Sequence, residues 1–195
     1  MNVFNILKYN LYKILLKILP KTTLKYLGQL KIFKPIRDFL FGRYDQSFFR
    51  DYIHWNEEEF YFYASPQVLY KAKKRGIESS LLRAIIKIIG NNSNIIDIGA
   101  NYGFLTIVLA KYVFERNGKI FSFECDNNIF EFLKKSIDKN KLTNVELFNY
   151  FIGEENLNNI KTVNSLLSKS DVSIDLIKID TDGSDLECLK GCSEI

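Results

Sequence analysis

One histidine, His54, among 195 residues leaves no pair of imidazoles for a histidine-built metal site. Three cysteines, Cys125, Cys188 and Cys192, are an odd number with no framework spacing. Cys188 and Cys192 stand four apart, one helical turn, which is not a Cys-x-x-Cys pair, so all three read as free thiols of a reducing cytoplasm. Long apolar runs are missing too. Lys8, Lys13, Lys17 and Lys21 break each one before it reaches the roughly 18 residues of a membrane span. No small-residue cleavage site follows, so a signal peptide is excluded as well. The chain also has no Gly-x-Gly-x-x-Gly, which removes the fingerprint of a dinucleotide fold.

What remains is a globular composition, 47% hydrophobic and 14% aromatic, with a length that suits one α/β domain plus an appendage. The net charge of +4 is unevenly spread. Residues 1–40 hold seven lysines and one arginine against the single acid Asp38. Leu and Ile interleave with these cations, where a nucleic-acid site would carry stacking aromatics and glycine, so no nucleic-acid partner is expected. Leu7, Leu11, Ile14, Leu15 and Ile18 share one helical face, opposite Asn10, Lys13 and Lys17, and this helix is expected to end at Pro20. Two readings stay open for residues 1–20: a helix packed on the domain, or a basic interfacial helix in peripheral contact with anionic lipid. Residues 21–65, with Phe48-Phe49, Trp55, Phe60-Tyr61-Phe62-Tyr63 and the acidic run Glu57-Glu58-Glu59, give no regular pattern; their aromatics read as core or lid packing. The expected division is therefore a basic, aromatic-rich segment 1–65 ahead of a domain 66–195.

From Ser79 the pattern turns regular. A helix through Leu81, Leu82, Ile85, Ile86 and Ile89 closes at Gly90, and strands are expected at 94–98, 119–124, 145–152 and 176–180. Helices are expected at about 104–114, 129–139, 163–168 and from Ser184 onward. Alternating strands and helices predict an α/β fold of the Rossmann-like kind, a parallel sheet with right-handed crossovers. In such a sheet ligands bind beyond the carboxyl ends of the strands, where the strand order reverses.

The first strand runs into Asp97-Ile98-Gly99-Ala100-Asn101-Tyr102-Gly103. Gly99 lets the backbone approach a ligand closely and Gly103 lets the next helix start tight against the sheet. Asp97, two residues before the first glycine, repels a pyrophosphate and suits the ammonium or sulfonium of S-adenosylmethionine. Glu124 ends the second strand, where a carboxylate accepts both ribose hydroxyls. His54 shows no partner in sequence and reads as structural.

The segment Ile95–Gly103 resembles the cofactor motif of FkbM-type class I methyltransferases, an Asp-x-Gly-Ala-Asn-x-Gly core, and Phe121-Ser122-Phe123-Glu124 resembles their second strand. Ile177-Lys178-Ile179-Asp180-Thr181-Asp182-Gly183 with Leu189-Lys190-Gly191 resembles their Lys-Ile-Asp-x-Glu-Gly and Leu-x-Gly signature, except that Asp182 stands where the family often has Glu. The resemblance spans roughly residues 70–195. It implies S-adenosylmethionine as cofactor and O-methylation of a sugar hydroxyl in a glycan or a related small molecule. It places Asp97, Gly99, Ala100, Asn101, Gly103 and Glu124 at the cofactor, with Asp180 and then Asp182 as the acids beside the methyl group. No metal is assigned, although Asp180, Asp182 and Asp185 offer hard oxygen ligands for a divalent cation, and Asp182 or Asp185 could instead cap the next helix. The fold so implied has strands beyond the fourth, so the stop at Ile195 predicts a C-terminally truncated sheet; a cover by the basic segment or by a second polypeptide is the alternative. Cofactor binding would then survive while turnover is impaired, which leaves a catalytically inactive binder or assembly partner as the second reading and a nicotinamide dehydrogenase as a distant third.

Overall fold

The computed structural model describes residues 50–195 except 76, 169 and 171, and before them the separate positions 7, 10, 11, 14, 17, 18 and 23. All seven of those positions are helical. Leu7, Leu11, Ile14 and Ile18 expose 66%, 42%, 50% and 71% of their surface. Leu15, the helix end at Pro20 and the aromatic pair Phe48-Phe49 lie outside the described residues.

The first element pair is a hairpin within the stretch that shows no pattern in sequence. β1 (Arg50–Trp55) and β2 (Glu58–Tyr63) pair antiparallel, with Trp55 opposite Glu58 across a two-residue turn. Asn56 makes that turn at φ 52° without a glycine, since an asparagine tolerates the left-handed region. Ile53, Phe60 and Phe62 point inward and are buried, as the aromatic core reading expects. A helix follows that the sequence reading missed, α1 (Pro66–Arg75). Its signal was the proline at the first helical position, where the missing N–H costs nothing. α2 (Ser79–Ile88) closes as expected, with the Gly90 amide bonded to Ser93 Oγ.

Four strands form the central sheet: β3 (Ile95–Ile98), β4 (Ile120–Phe123), β5 (Val145–Phe148) and β8 (Leu176–Ile179). They lie in the order β5-β4-β3-β8, all parallel. β3 and β4 are buried along their whole length, as strands covered on both faces must be. α3 (Phe104–Phe114) is apolar nearly all round, and Phe104 through Ala110 are all buried, so it lies inside the molecule. Each such Leu, Ile, Val or Phe side chain stabilises the fold by about 1.5–3 kcal/mol. α4 (Asn127–Asn140) starts at Asp126, whose carboxylate accepts from the amides of Asn128 and Ile129. The expected strand 145–152 is broken: β5 stops at Phe148, and Phe151–Ile152 forms β6, paired with β7 (Ile160–Lys161) in a separate two-stranded sheet. The break falls at Asn149, whose side chain donates to the Glu124 carbonyl just past the end of β4. α5 (Val163–Leu167) is capped by Thr162, and α6 (Asp185–Lys190) follows β8.

Two cores flank the sheet. One joins Ile95 and Ile120 to α2, α3, α4 and the hairpin. The other joins Ile96, Ile98, Phe121 and Phe123 to Ile152, Val163, Leu167, Cys188 and Cys192. The hairpin therefore shares a core with the helices that follow it. Asn140 of α4 holds it from below: the Tyr61 amide donates to Asn140 Oδ1 at 2.9 Å and Asn140 Nδ2 donates to the Tyr61 carbonyl at 2.7 Å. The Tyr63 amide donates to Ser136 Oγ at 3.0 Å. Cys188 and Cys192 are packing residues, and burial pushes the Cys192 thiol up to about 11. No helix among the described residues is long and apolar enough to cross a membrane.

Candidate functional site

The carboxyl ends of β3, β4 and β8 bring three loops together. After β3 the chain turns back: the Gly99 and Ala100 amides both donate to the Phe123 carbonyl, and the Gly103 amide closes the turn on the Ala100 carbonyl. Gly99 (φ 74°), Asn101 (φ 56°) and Gly103 (φ 83°) are all left-handed. Each of the two glycines also meets a protein neighbour at close range. A Cβ on Gly99 would lie 2.1 Å from the carbonyl oxygen of Asp180, so its bareness lets the loop after β8 close on the turn. A Cβ on Gly103 would meet Leu133 of α4 at 2.2 Å, so the close approach there is helix to helix, not helix to sheet.

Glu124 is buried at the junction of two loops. Its Oε2 accepts from the Asn101 amide and its Oε1 from the Asp126 amide, each at 2.8 Å. One carboxylate thus ties the first turn to the start of α4, and each oxygen keeps a further lone pair for a hydroxyl. The Tyr102 amide is taken by Asn101 Oδ1 at 2.9 Å. The amides of Asn101 and Tyr102 are therefore already donated, and neither is available to a pyrophosphate. This gives the missing middle glycine a structural counterpart.

Asp97 carries a fully buried carboxylate that is already partnered inside the protein. Thr106 Oγ1 donates to its Oδ2 at 2.6 Å and lies 3.1 Å from Ser122 Oγ. Lys178 Nζ stands 3.0 Å from Oδ1 as an ion pair, placed so that its hydrogen bonds go to the carbonyls of Gly99 at 3.0 Å and Ile98 at 3.4 Å. Burial alone would push the Lys178 ammonium down; the charge of Asp97 beside it outweighs this, helped by Glu78 and Asp180, and holds it above the usual lysine value. Sequence reasoning missed this partnership. Its signals were a lysine inside an apolar strand and a threonine, Thr106, inside an apolar helix.

Asp180 and Asp182 follow β8 and are exposed at the same end of the sheet. Asp185 is occupied differently: its Oδ1 accepts from the Thr181 amide at 2.9 Å and from the Thr181 hydroxyl, which holds the loop. Those two bonds lower the Asp185 carboxyl below the usual range. The capping alternative is thus redirected, since Asp185 binds the loop and not the free amides of α6. Among the described residues no three His, Cys, Asp or Glu side chains gather as metal ligands. His54 lies on the exposed face of β1, 3.5 Å from its cross-strand partner Glu59.

No family model matches the chain, and no curated protein matches it. Solved structures do. The T. thermophilus 16S rRNA N2 G1207 methyltransferase (RsmC), solved with AdoMet and guanosine, is 19% identical with a TM-score of 0.51 over 76% of this chain and 38% of that one. The methyltransferase FkbM of Methylobacillus flagellatus KT is 19% identical with a TM-score of 0.47 over 55% of this chain and 31% of that one. The precorrin-6y C5,15-methyltransferase of Geobacter metallireducens GS-15 is 21% identical, with a TM-score of 0.45 over 62% and 59%. The chain spans less than two thirds of each of these structures. The likeness is one of fold: a Rossmann-like parallel sheet of the kind found in methyltransferases.

Proposed function

We propose that the chain binds S-adenosylmethionine and transfers its methyl group to a hydroxyl of a sugar, in a glycan or a related metabolite, in the manner of the FkbM-type enzymes. The observation that carries this reading is Glu124, a buried carboxylate pinned by two backbone amides at the carboxyl end of the parallel sheet, beside the turn after β3, with lone pairs left for two hydroxyls. The Lys178–Gly183 signature supports the finer family assignment. The residues present fit the cofactor: Glu124 would hold the ribose, while Asp97, Gly99, Ala100, Asn101 and Gly103 would shape the methionine side. When bound, the sulfonium supplies an already activated methyl group. The protein's task is then to align the acceptor oxygen, which is worth more than acid–base chemistry here. Asp180 accepts the hydroxyl proton on its carboxylate or orients it, and Asp182 is the second candidate.

Calorimetry with S-adenosylmethionine and S-adenosylhomocysteine tests the reading, followed by transfer of labelled methyl to a panel of sugars. Absence of binding at millimolar cofactor overturns it. Binding without transfer to any sugar replaces it by the second reading, an inactive cofactor-binding protein or assembly partner. The exposed apolar side chains Leu7, Leu11, Ile14 and Ile18, set in a basic segment, favour a peripheral contact with the cytoplasmic face of a membrane. Flotation on vesicles containing phosphatidylserine, with and without residues 1–20, checks this; equal flotation of the two chains rejects it.

A further inference from the structure

Asp97 and Lys178 come from neighbouring strands, β3 and β8, and sit opposite one another in register. Their side chains are 0% and 6% exposed. A buried carboxylate so close to the cofactor turn would, if unpaired, project its full charge through a medium that screens poorly. Lys178 prevents that, and the same ammonium grips the Gly99 carbonyl and with it the start of the turn. One side chain therefore does two separable things: it cancels a charge and it fixes a backbone.

Resting on the cofactor reading above, we propose that Lys178 is a positioning residue that sets the charge balance of the cofactor turn, so that the cationic S-adenosylmethionine gains no large electrostatic preference over the neutral S-adenosylhomocysteine. The two ligands differ in the sulfonium charge, so the ratio of their dissociation constants reports the charge behind the turn. Loss of the grip on Gly99 weakens both ligands together and leaves the ratio alone.

The test is calorimetry of the full chain with both ligands, on the wild type and on Lys178→Met, Asp97→Asn and the double variant. A unit charge acting over about 10 Å at an effective dielectric of about 20 moves an equilibrium by roughly tenfold. Lys178→Met removes the compensating ammonium and shifts the ratio toward S-adenosylmethionine by about that factor while the carboxylate is ionised. The ratio is followed from about pH 6 to about pH 9, so that uptake of a proton by the buried carboxylate shows as a pH-dependent return. Asp97→Asn leaves an uncompensated ammonium and shifts it by a similar factor the other way, so this variant decides the matter even where Lys178→Met fails to fold. The double variant, neutral at both positions, returns the ratio to within about threefold of wild type. Ratios that stay fixed in the single variants, with both ligands weakened alike, overturn the proposal and leave Lys178 a merely structural residue. Wild-type protein that binds neither ligand removes the cofactor reading itself, an outcome distinct from a fixed ratio.

Discussion

Gly99 and Asp180 touch backbone to backbone: any Cβ on the glycine would lie 2.1 Å from the Asp180 carbonyl oxygen. Gly99→Ala therefore adds a clash with a rigid group to the strain of a side chain at φ 74°. An expected loss of about 2–4 kcal/mol follows from overpacking and a strained backbone together. Gly103→Ala has the same kind of strain, but its clash is with a Leu133 methyl that a rotamer change can move. Urea denaturation of both variants should rank Gly99→Ala as the more damaging.

Glu124→Gln tests the junction of the loops. The carboxylate now accepts two amides, and a carboxamide has one oxygen, so one of Asn101 N–H or Asp126 N–H would face an NH₂ group. Leaving such a donor unsatisfied costs about 1–3 kcal/mol. If Glu124 holds the ribose, affinity for S-adenosylmethionine should fall by roughly ten- to a hundredfold in calorimetry.

The loop after β8 should loosen with acid. Asp185 has a lowered pKa because it accepts from the Thr181 hydroxyl and amide. Its contribution to stability is thus present above the ordinary aspartate range and is lost as pH falls through the lowered, folded-state value. Hydrogen exchange at the Thr181 amide should show protection that persists below the ordinary aspartate range and then disappears. Asp185→Asn should reduce that protection at neutral pH.

Much of the sheet is legible in the sequence because its strands and helices are local patterns. Phe104–Phe114 is marked at both ends, by Gly103 and by the charged Glu115, and its observed limits match the expected ones. The parallel strands read as short apolar runs between turn residues. The hairpin at 50–63 did not, because alternation over six residues is weak and its turn uses Asn56 where a glycine would have signalled it. The strand expected at 145–152 divides because Phe151–Ile152 pairs with Ile160–Lys161, a partner distant in sequence, while β5 stops at Phe148 beside the end of β4. At the site, residue types were readable and partnerships were not. Asp97 draws attention as an acid near a glycine turn, yet its meeting with Lys178 depends on β3 and β8 lying side by side in register, which no local pattern encodes.

Asn140→Ala probes the grip of α4 on the hairpin. It deletes both bonds between Asn140 and Tyr61 and the bond to the Ser136 carbonyl, while Tyr63 keeps Ser136. The expected cost is about 1–3 kcal/mol in chemical denaturation, and the amide exchange of β2 should rise more than that of β3.

That grip has a second effect. The Tyr61 amide and carbonyl and the Tyr63 amide form the side of β2 that faces away from β1, a row of backbone groups that would otherwise template an incoming strand. A helix side chain satisfies each of them, so β2 is closed to sheet extension at these positions, and one asparagine and one serine guard that stretch of edge against self-association.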